Sequence, residues 1–461
     1  MKILFVFYDN ESDINTPPLG SLYVAAYLKK NGYHNIVYYN QDVYRYPESH
    51  LTEYLDRNHF DVIGIGFVAG YFQHSKIKSL CDAIHASKDK PFIVLGGHGP
   101  SPVAEFSMKA YGADAVVMGE GEMPFMNLIK ALEADRPLAE VKGIAYRDGD
   151  QFHVNEREQP IKDLDSIPMP YVEPLPIEYY VNKKFLQMKP TDRLFFMITS
   201  RGCNYRCNFC QRLEKGMRFR SIESVIDEIK KYQRDYRISY FVFWDELFMA
   251  TEKRVLEFSE AVLKEGIKLN FWCTGRLNIV NERILYFLKR AGCKYIDYGI
   301  EQFDNHALEA MEKKLTEDQI VRGIEMTQAQ NIFVAFNIIF GNVGDTRESL
   351  RKSIDLLRRY NDFGQLRVIR PVTPYPGSPL YETALERGLL NGPEDFYEKH
   401  KNLELITCNF TDIPDDEFYR LMMEANQKII DDYYEQMKQQ TIERFRKTYF
   451  ELDFSFRGAR H

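Results

Sequence analysis

The chain has 461 residues and is short of several things that would classify it at once. No apolar run reaches the roughly 18 residues of a bilayer crossing, so no membrane span is expected. No long run of Lys and Arg occurs and the formal net charge is −7, which argues against a dedicated nucleic-acid or anionic-membrane binder. There is no low-complexity tract and no internal repeat of short fixed period. An export signal is also missing: "MKILFVFYDNESD" has one Lys and a short apolar run followed by acids, and reads as a first strand. The expected compartment is therefore a reducing cytoplasm, where disulfides are rare. Cysteine itself is scarce, seven in all and an odd count. Yet Cys203, Cys207 and Cys210 fall within eight positions of "TSRGCNYRCNFCQR", with arginines on both sides. Clustered like this, they read as metal ligands or redox groups rather than staples.

What remains is ordinary and globular, with 44% hydrophobic and 28% charged residues. The length calls for two or three domains. Residues 1–145 alternate strand and helix signals. "KILFVFY" is a buried-strand run, and 20–32 is an amphipathic helix ending at Gly32. Further strands are expected at 61–68, 92–97 and 114–122, which implies a parallel sheet with covered faces. Glycines follow three of these strands: Gly70, Gly96 with Gly97, and Gly119 with Gly121. That edge of an open α/β sheet binds ligands, and glycine lets backbone approach them. Plain turn chemistry is the competing reading of each glycine.

Residues 146–190 are punctuated by six prolines and read as an extended connector. A second alternating series follows, with strands expected at 194–200, 240–244, 269–273, 295–300, 333–340 and 366–370. Amphipathic helices are expected between them, for example at 224–232, 252–263 and 347–360. Six strand–helix units predict a barrel or partial barrel over 191–390, with function at the carboxyl ends of its strands. Residues 391–461 read as a polar helical segment, a cap over the barrel mouth or an oligomer contact, ending in a solvated tail with Arg457, Arg460 and His461.

The three cysteines follow the first strand of the second series, at the functional end of the barrel. Thiolates are soft ligands that select zinc or iron–sulfur clusters. A structural zinc takes four ligands, and the nearest further cysteines, Cys273 and Cys293, lie some sixty and eighty residues on. Three cysteines on one loop suit a [4Fe–4S] cluster with one iron left open. A zinc completed from afar and buried inert thiols are the alternatives.

The C-x3-C-x2-C spacing, with an aromatic before the last Cys, resembles the radical SAM enzymes. The resemblance implies that the open iron binds S-adenosylmethionine and that one electron cleaves it to a 5′-deoxyadenosyl radical. Phe209 takes the position whose backbone meets the adenine. Asp245 and Glu246, in "FWDELF", take the place of a motif that receives the SAM amino group. Arg276, in "WCTGR", is suited to the SAM carboxylate, and Glu301, in "GIEQ", to ribose hydroxyls. The stretch "TPYPGSPLYETALERGLL" narrows the resemblance to members with an N-terminal cobalamin-binding domain. "TPPLGSLYVAAYL", "DVIGIGFV", "VLGGHGPSP" and "VVMGEGE" match signposts of that domain, putting Gly20, Tyr71, Gly96, Gly97, His98, Gly119, Glu120 and Gly121 at the cofactor edge. The likeness covers roughly 1–390.

The D-x-H-x-x-G motif that supplies a cobalt ligand in many such domains does not occur. His98, the one His in a glycine loop at that edge, reads as a hydrogen-bonding partner of the cofactor or as structural, with an axial-ligand role as the weaker alternative. The loop "AGYFQH", with Tyr71 and Phe72, would either shield the cobalt or fill its place. The implied architecture is α/β: an N-terminal Rossmann-like cobalamin-binding domain, a partial (β/α)6 radical SAM barrel and a C-terminal helical segment. The implied cofactors are a [4Fe–4S] cluster, SAM and cobalamin, with an external electron donor such as flavodoxin or ferredoxin and a small-molecule substrate. The leading expectation is a methyltransferase acting on an unactivated carbon through the 5′-deoxyadenosyl radical and methylcobalamin. The alternative is a radical SAM lyase, dehydratase or cyclase with an auxiliary or empty cobalamin-binding-like domain. A tRNA-modifying methylthiolase is disfavoured because the N-terminal half holds only Cys81 and the charge is acidic. A non-enzymatic corrinoid sensor would have no use for the cysteine loop.

Overall fold

The computed structural model describes residues 1–11, 15–68, 71–185, 187–360, 366–399 and 408–452, without the side chains of Tyr71, Phe72 and Phe336. Two parallel sheets organise it. The first contains β1 (Ile3–Phe7), β2 (Ile36–Asn40), β3 (Val62–Gly66), β4 (Phe92–Gly96), β5 (Ala115–Val117), β6 (Ile144–Asp148) and β7 (Gln151–Val154) in the order β2-β1-β3-β4-β5-β6-β7. β1 to β5 are parallel, and β6 and β7 are antiparallel additions. The order reverses beside β1, so a crevice opens at the carboxyl ends of β1 and β3. The expected helix forms as Leu19–Lys30, its last turn basic and Gly32 beyond it at φ +94°, a left-handed position that suits glycine.

Two departures from the sequence reading concern the connector. Residue 145 falls inside β6, and the β6–β7 hairpin, turning at Gly149, carries the first sheet beyond that point. β7 is half-exposed on an edge, so it has no apolar run to announce it. The proline-rich stretch after it is not a tether. Leu164, Val172, Tyr180 and Val181 are buried in a core continuous from Ile3 and Phe5 to Leu194 and Phe195. Burying single apolar residues between prolines gives an extended strap that no periodicity reveals.

The second sheet runs β8 (Leu194–Met197), β11 (Tyr240–Phe243), β12 (Asn270–Gly275), β13 (Cys293–Glu301), β14 (Phe333–Phe340) and β15 (Arg370–Pro371), parallel and in chain order. Between β8 and β11 lies a hairpin of β9 (Ser200–Cys203) and β10 (Gly216–Phe219). Sequential order with right-handed crossovers puts the intervening helices on one face and leaves the other as a lumen. Phe195 meets Tyr232 of the helix Ile222–Tyr236 at 4.4 Å, and Phe243 meets Phe258 of Glu252–Lys264 at 5.2 Å. Ser221, Thr251, Asn281 and Thr316 cap four helix starts with their side chains. The strand expected at 366–370 shrinks to two residues, and Pro371, with no N–H to donate, suits a sheet edge.

The helix Asp415–Phe450 buries Phe418, Met422, Ala425 and Ile429. Phe418 stacks on Phe340 at 5.1 Å, and the Asn426 amide bonds both backbone groups of Ile369 at 2.9 and 3.0 Å. It therefore covers the β15 edge. The mouth is approached instead by residues 372–399, whose Val372, Leu380, Phe396 and Tyr397 form a small core with Phe209 and Phe106 packed against it. The tail residues Arg457, Arg460 and His461 lie outside the described residues. No described helix is long and apolar enough to cross a membrane.

Candidate functional site

The cysteines sit on the β9–β10 hairpin directly after β8. Gly202 and Gly216 both have positive φ, and a Cβ on Gly202 would lie 2.2 Å from the Gly216 carbonyl oxygen. The hairpin can close only with glycine there. Asp245, at the end of β11, fixes its base. Its carboxylate accepts from the Thr199 N–H at 2.6 Å, the Thr199 hydroxyl at 2.5 Å and the Ser200 N–H at 3.0 Å. Burial raises its pKa all the same. Asp245 is thus committed to the turn, and Glu246 is the member of the pair open to solvent. Glu246 accepts from the Gly202 backbone, and its pKa is raised by desolvation.

The loop between the strands is clamped as well. Asn208 and Asn342 exchange side-chain amide bonds at 3.0 and 2.9 Å, and the Leu380 N–H donates to the Asn208 carbonyl at 2.8 Å. Asp345, fully buried, accepts from the Gly341 and Asn342 N–H groups at 2.9 Å and from Gln302 at 2.6 Å. Neither asparagine stands out in the sequence, because pairing across 134 positions has no local signature.

Positive charge gathers around the sulfurs. Arg276 is 7% exposed. Its Nη1 lies 3.9 Å from Cys207 Sγ and its guanidinium 3.5 Å from the Tyr205 ring centroid, while Nη2 donates to the Lys313 carbonyl. Its Nε is buried with no partner among the described residues. Lys313, which the sequence reading missed, bonds Glu301 at 3.1 Å and lies 5.5 Å from the Phe209 ring centroid. The Cys207 thiol is drawn down to about 6, first by a hydrogen bond from Cys210 and then by Lys313 and Arg276, against the cost of burial. Glu301, Glu312 and Lys314 all have positive φ, a conformation that costs free energy and clusters at functional sites. Glu301 also sits at a register shift in the β13–β14 ladder, which re-aims its side chain.

This donor set fits a cluster better than an ion. Cys273 and Cys293 are buried within β12 and β13, away from the loop, so they do not complete a zinc site with it. The unpartnered Arg276 Nε beside the thiols suits an anionic group such as the SAM carboxylate.

The edge of the first sheet faces this loop. The Gln211 amide, next to Cys210, donates to the His98 carbonyl at 2.5 Å. Arg201 and Arg218, register partners on β9 and β10, both bond Glu120, each through Nη1 at 3.1 Å, and Arg201 also bonds Glu122 at 2.6 Å. Glu120 is therefore engaged by the β9–β10 hairpin. Several glycines are likewise explained by protein. A Cβ on Gly97 would lie 2.6 Å from the Phe67 carbonyl oxygen, on Gly119 2.5 Å from Glu214, and on Gly121 2.9 Å from Val24, while Gly96 has only ordinary contacts. At Gly20, beside the crevice, a Cβ would meet nothing within 4 Å. Val68, just beyond β3, is 53% exposed. Burial lowers the His98 pKa, keeping its imidazole neutral. Gly70 and the Tyr71 side chain lie outside the described residues.

The profile of the radical SAM superfamily matches residues 197–357, and that of the B12 binding domain matches residues 9–129. The chain belongs to the cobalamin-binding radical SAM family. Its cofactors are accordingly a [4Fe–4S] cluster, SAM and cobalamin. An uncharacterized methyltransferase of Pyrococcus horikoshii is 28% identical to this radical SAM chain over 405 residues, 85% of this chain and 84% of the relative. The anaerobic magnesium-protoporphyrin IX monomethyl ester cyclase of Rubrivivax gelatinosus is 25% identical over 83% of this chain and 70% of its own length. The radical SAM methyltransferase TsrM of Kitasatospora setae, solved with tryptophan substrate and a SAM analogue, shares the fold with a TM-score of 0.70 at 16% identity, over 92% of this chain and 89% of that one.

Proposed function

We propose that this chain is a cobalamin-dependent methyltransferase that methylates an unactivated carbon of a small molecule. The observation that carries the reading is the attachment of the cysteine hairpin to the edge of the first sheet, through Gln211 on His98 and through Arg201 and Arg218 on Glu120. That attachment holds the two cofactor sites side by side, as a methyl transfer between them requires. The relationship to a methyltransferase over most of both chains supports it. When bound, the cluster supplies the electron that cleaves SAM for hydrogen abstraction, and cobalamin supplies a transferable methyl group.

In this reading Cys203, Cys207 and Cys210 hold the cluster, and the Phe209 backbone lies beside the adenine. Arg276 takes the SAM carboxylate, and Glu246 its amino group. Glu301 accepts from the ribose hydroxyls while Lys313 balances its charge. Asp245 is a positioning residue that fixes Thr199 and Ser200 below the cysteines. Gly20, Gly96 and the 97–99 turn border the corrin, with Gly119 and Gly121 shaping the adjoining turn. The cobalamin-binding domain runs through β7, the strap takes over from there to β8, and the helix Asp415–Phe450 completes the wall. The electron comes from an external flavodoxin or ferredoxin, and the oxygen-labile cluster suits a reducing cytoplasm.

A cyclase without methyl transfer is the second reading, favoured by the relationship to the cyclase of Rubrivivax gelatinosus. Protein reconstituted anaerobically with iron, sulfide and cobalamin, then incubated with methyl-labelled SAM, a reductant and cell extract, separates them. Label in a product one methylene heavier supports the methyltransferase. A product altered in mass without label sinks it.

A further inference from the structure

The lumen of the second sheet contains side chains that the cluster loop does not use. Inward positions stack in levels fixed by the ladder register. Phe196, Val242, Trp272, Tyr295 and Phe333 are successive partners in one level. Phe185 packs on Phe196 and Trp272 at 5.6 and 6.0 Å between centroids and closes that level at its amino end. One level nearer the mouth is Trp244, edge-on to Phe196 at 5.2 Å and to Trp272 at 5.9 Å, and 49% exposed. Thr274 and Asp297 are partners at that same height, with Ala335 beyond.

Asp297 is the charged member of this level. Its Oδ1 accepts from Asn337 Nδ2 at 2.7 Å, and no ion pair to it forms among the described residues, Lys313 being bound to Glu301. Burial, and then the Glu301 carboxylate, raise its pKa to about 6, so it is mostly ionised at pH 7. A carboxylate without a counter-ion favours a cationic group beside it, and an uncovered indole facing the same space favours an aromatic ring packed on it. Two ladder spacings, about 10 Å, separate the strands that carry Trp244 and Asp297. A ring on the indole with a short tether to a charged nitrogen spans a distance of that order.

We propose that this level of the lumen binds the substrate by an unsaturated ring stacked on Trp244 and a protonated amine paired with Asp297, which makes the substrate an arylalkylamine or contains that unit. The proposal rests on the reading of the barrel as the reaction chamber of a radical SAM enzyme.

The chain has two tryptophans, both here, so indole emission reports this site. The test titrates the full-length protein with 2-phenylethylamine, 3-phenylpropionate and 2-cyclohexylethylamine, by tryptophan emission and by calorimetry. The phenyl amine is expected to bind at least about tenfold tighter than either control, a difference of about 1.4 kcal/mol. Asp297→Asn, nearly isosteric, should remove the preference over the carboxylate and leave that over the cyclohexyl amine. Affinity should also fall as pH drops through about 6, where Asp297 takes up a proton. The other charged or titratable groups around it are Glu301, Lys313 and Cys273, and none of them would produce the loss in wild type alone while sparing Asp297→Asn. Equal binding of the carboxylate, or an unchanged affinity in Asp297→Asn, overturns the proposal. Iron and sulfide content and SAM binding, measured on the same preparation, judge the enzyme reading separately: amine binding needs neither SAM nor reductant.

Discussion

The carboxyl edges of the two sheets look alike in outline and differ in what occupies them. Along the first, glycines dominate, and most of the space they leave is taken by protein: Phe67 against Gly97, Glu214 against Gly119, Val24 against Gly121. Along the second, long charged side chains converge, and some keep unused bonding capacity, as the Arg276 Nε does. A glycine turn can satisfy itself with backbone. A buried guanidinium beside thiols cannot, and the unmet group points to a missing partner. In the function proposed above, the barrel edge selects its ligands through side chains, whereas the first edge receives its cofactor through shape.

The largest effect is expected at the barrel edge. Cys207→Ala should leave the protein folded, with iron and sulfide at background and no turnover, read by metal analysis and electron paramagnetic resonance. A full cluster in that variant would show that the sulfurs are not the ligands. Arg276→Lys comes next. It keeps the charge and loses the fork, so cluster content should hold while SAM affinity weakens about tenfold to hundredfold, the worth of one or two hydrogen bonds to a charged group. An unchanged SAM affinity by equilibrium dialysis would move the carboxylate site elsewhere.

The same contrast explains what could be read from the sequence. The cysteine spacing, Arg276 and Glu301 announce themselves because side-chain chemistry is local. So do the strands and helices of both series, because burial imposes period. Asp245 is visible as an acid at a strand end, but its commitment to Thr199 and Ser200 depends on a contact across 46 positions. Lys313, Asn208 and Asn342 are ordinary residues made important by folding. Glu120 lies in an informative motif, yet its partners Arg201 and Arg218 belong to the cysteine hairpin, some eighty or more positions on. The strap between the sheets was hidden because prolines interrupt every period while Val172 and Tyr180 still pack inward.

The smaller effects sharpen the comparison on the glycine side. Gly97→Ala must place a Cβ 2.6 Å from a carbonyl oxygen at φ +97°. The left-handed conformation alone costs about 1–2 kcal/mol, and the contact adds to it, so the urea midpoint should fall even without cofactor. A variant that kept its midpoint and lost only corrin binding would mean that Gly97 serves the ligand, and the two edges would no longer differ in kind.

Gly20→Ala is the converse. Nothing lies within 4 Å of the added carbon, and the position opens the helix Leu19–Lys30. Alanine there should stabilise the free protein by about 0.4–1 kcal/mol, chiefly by restricting the unfolded chain. Its effect on corrin affinity, followed by visible absorption during titration with cobalamin, should be a loss of several-fold, because the methyl group enters space that no protein atom uses. A variant that gains stability and keeps full corrin affinity would move the cofactor away from Gly20, toward Val68 and the carboxyl end of β3.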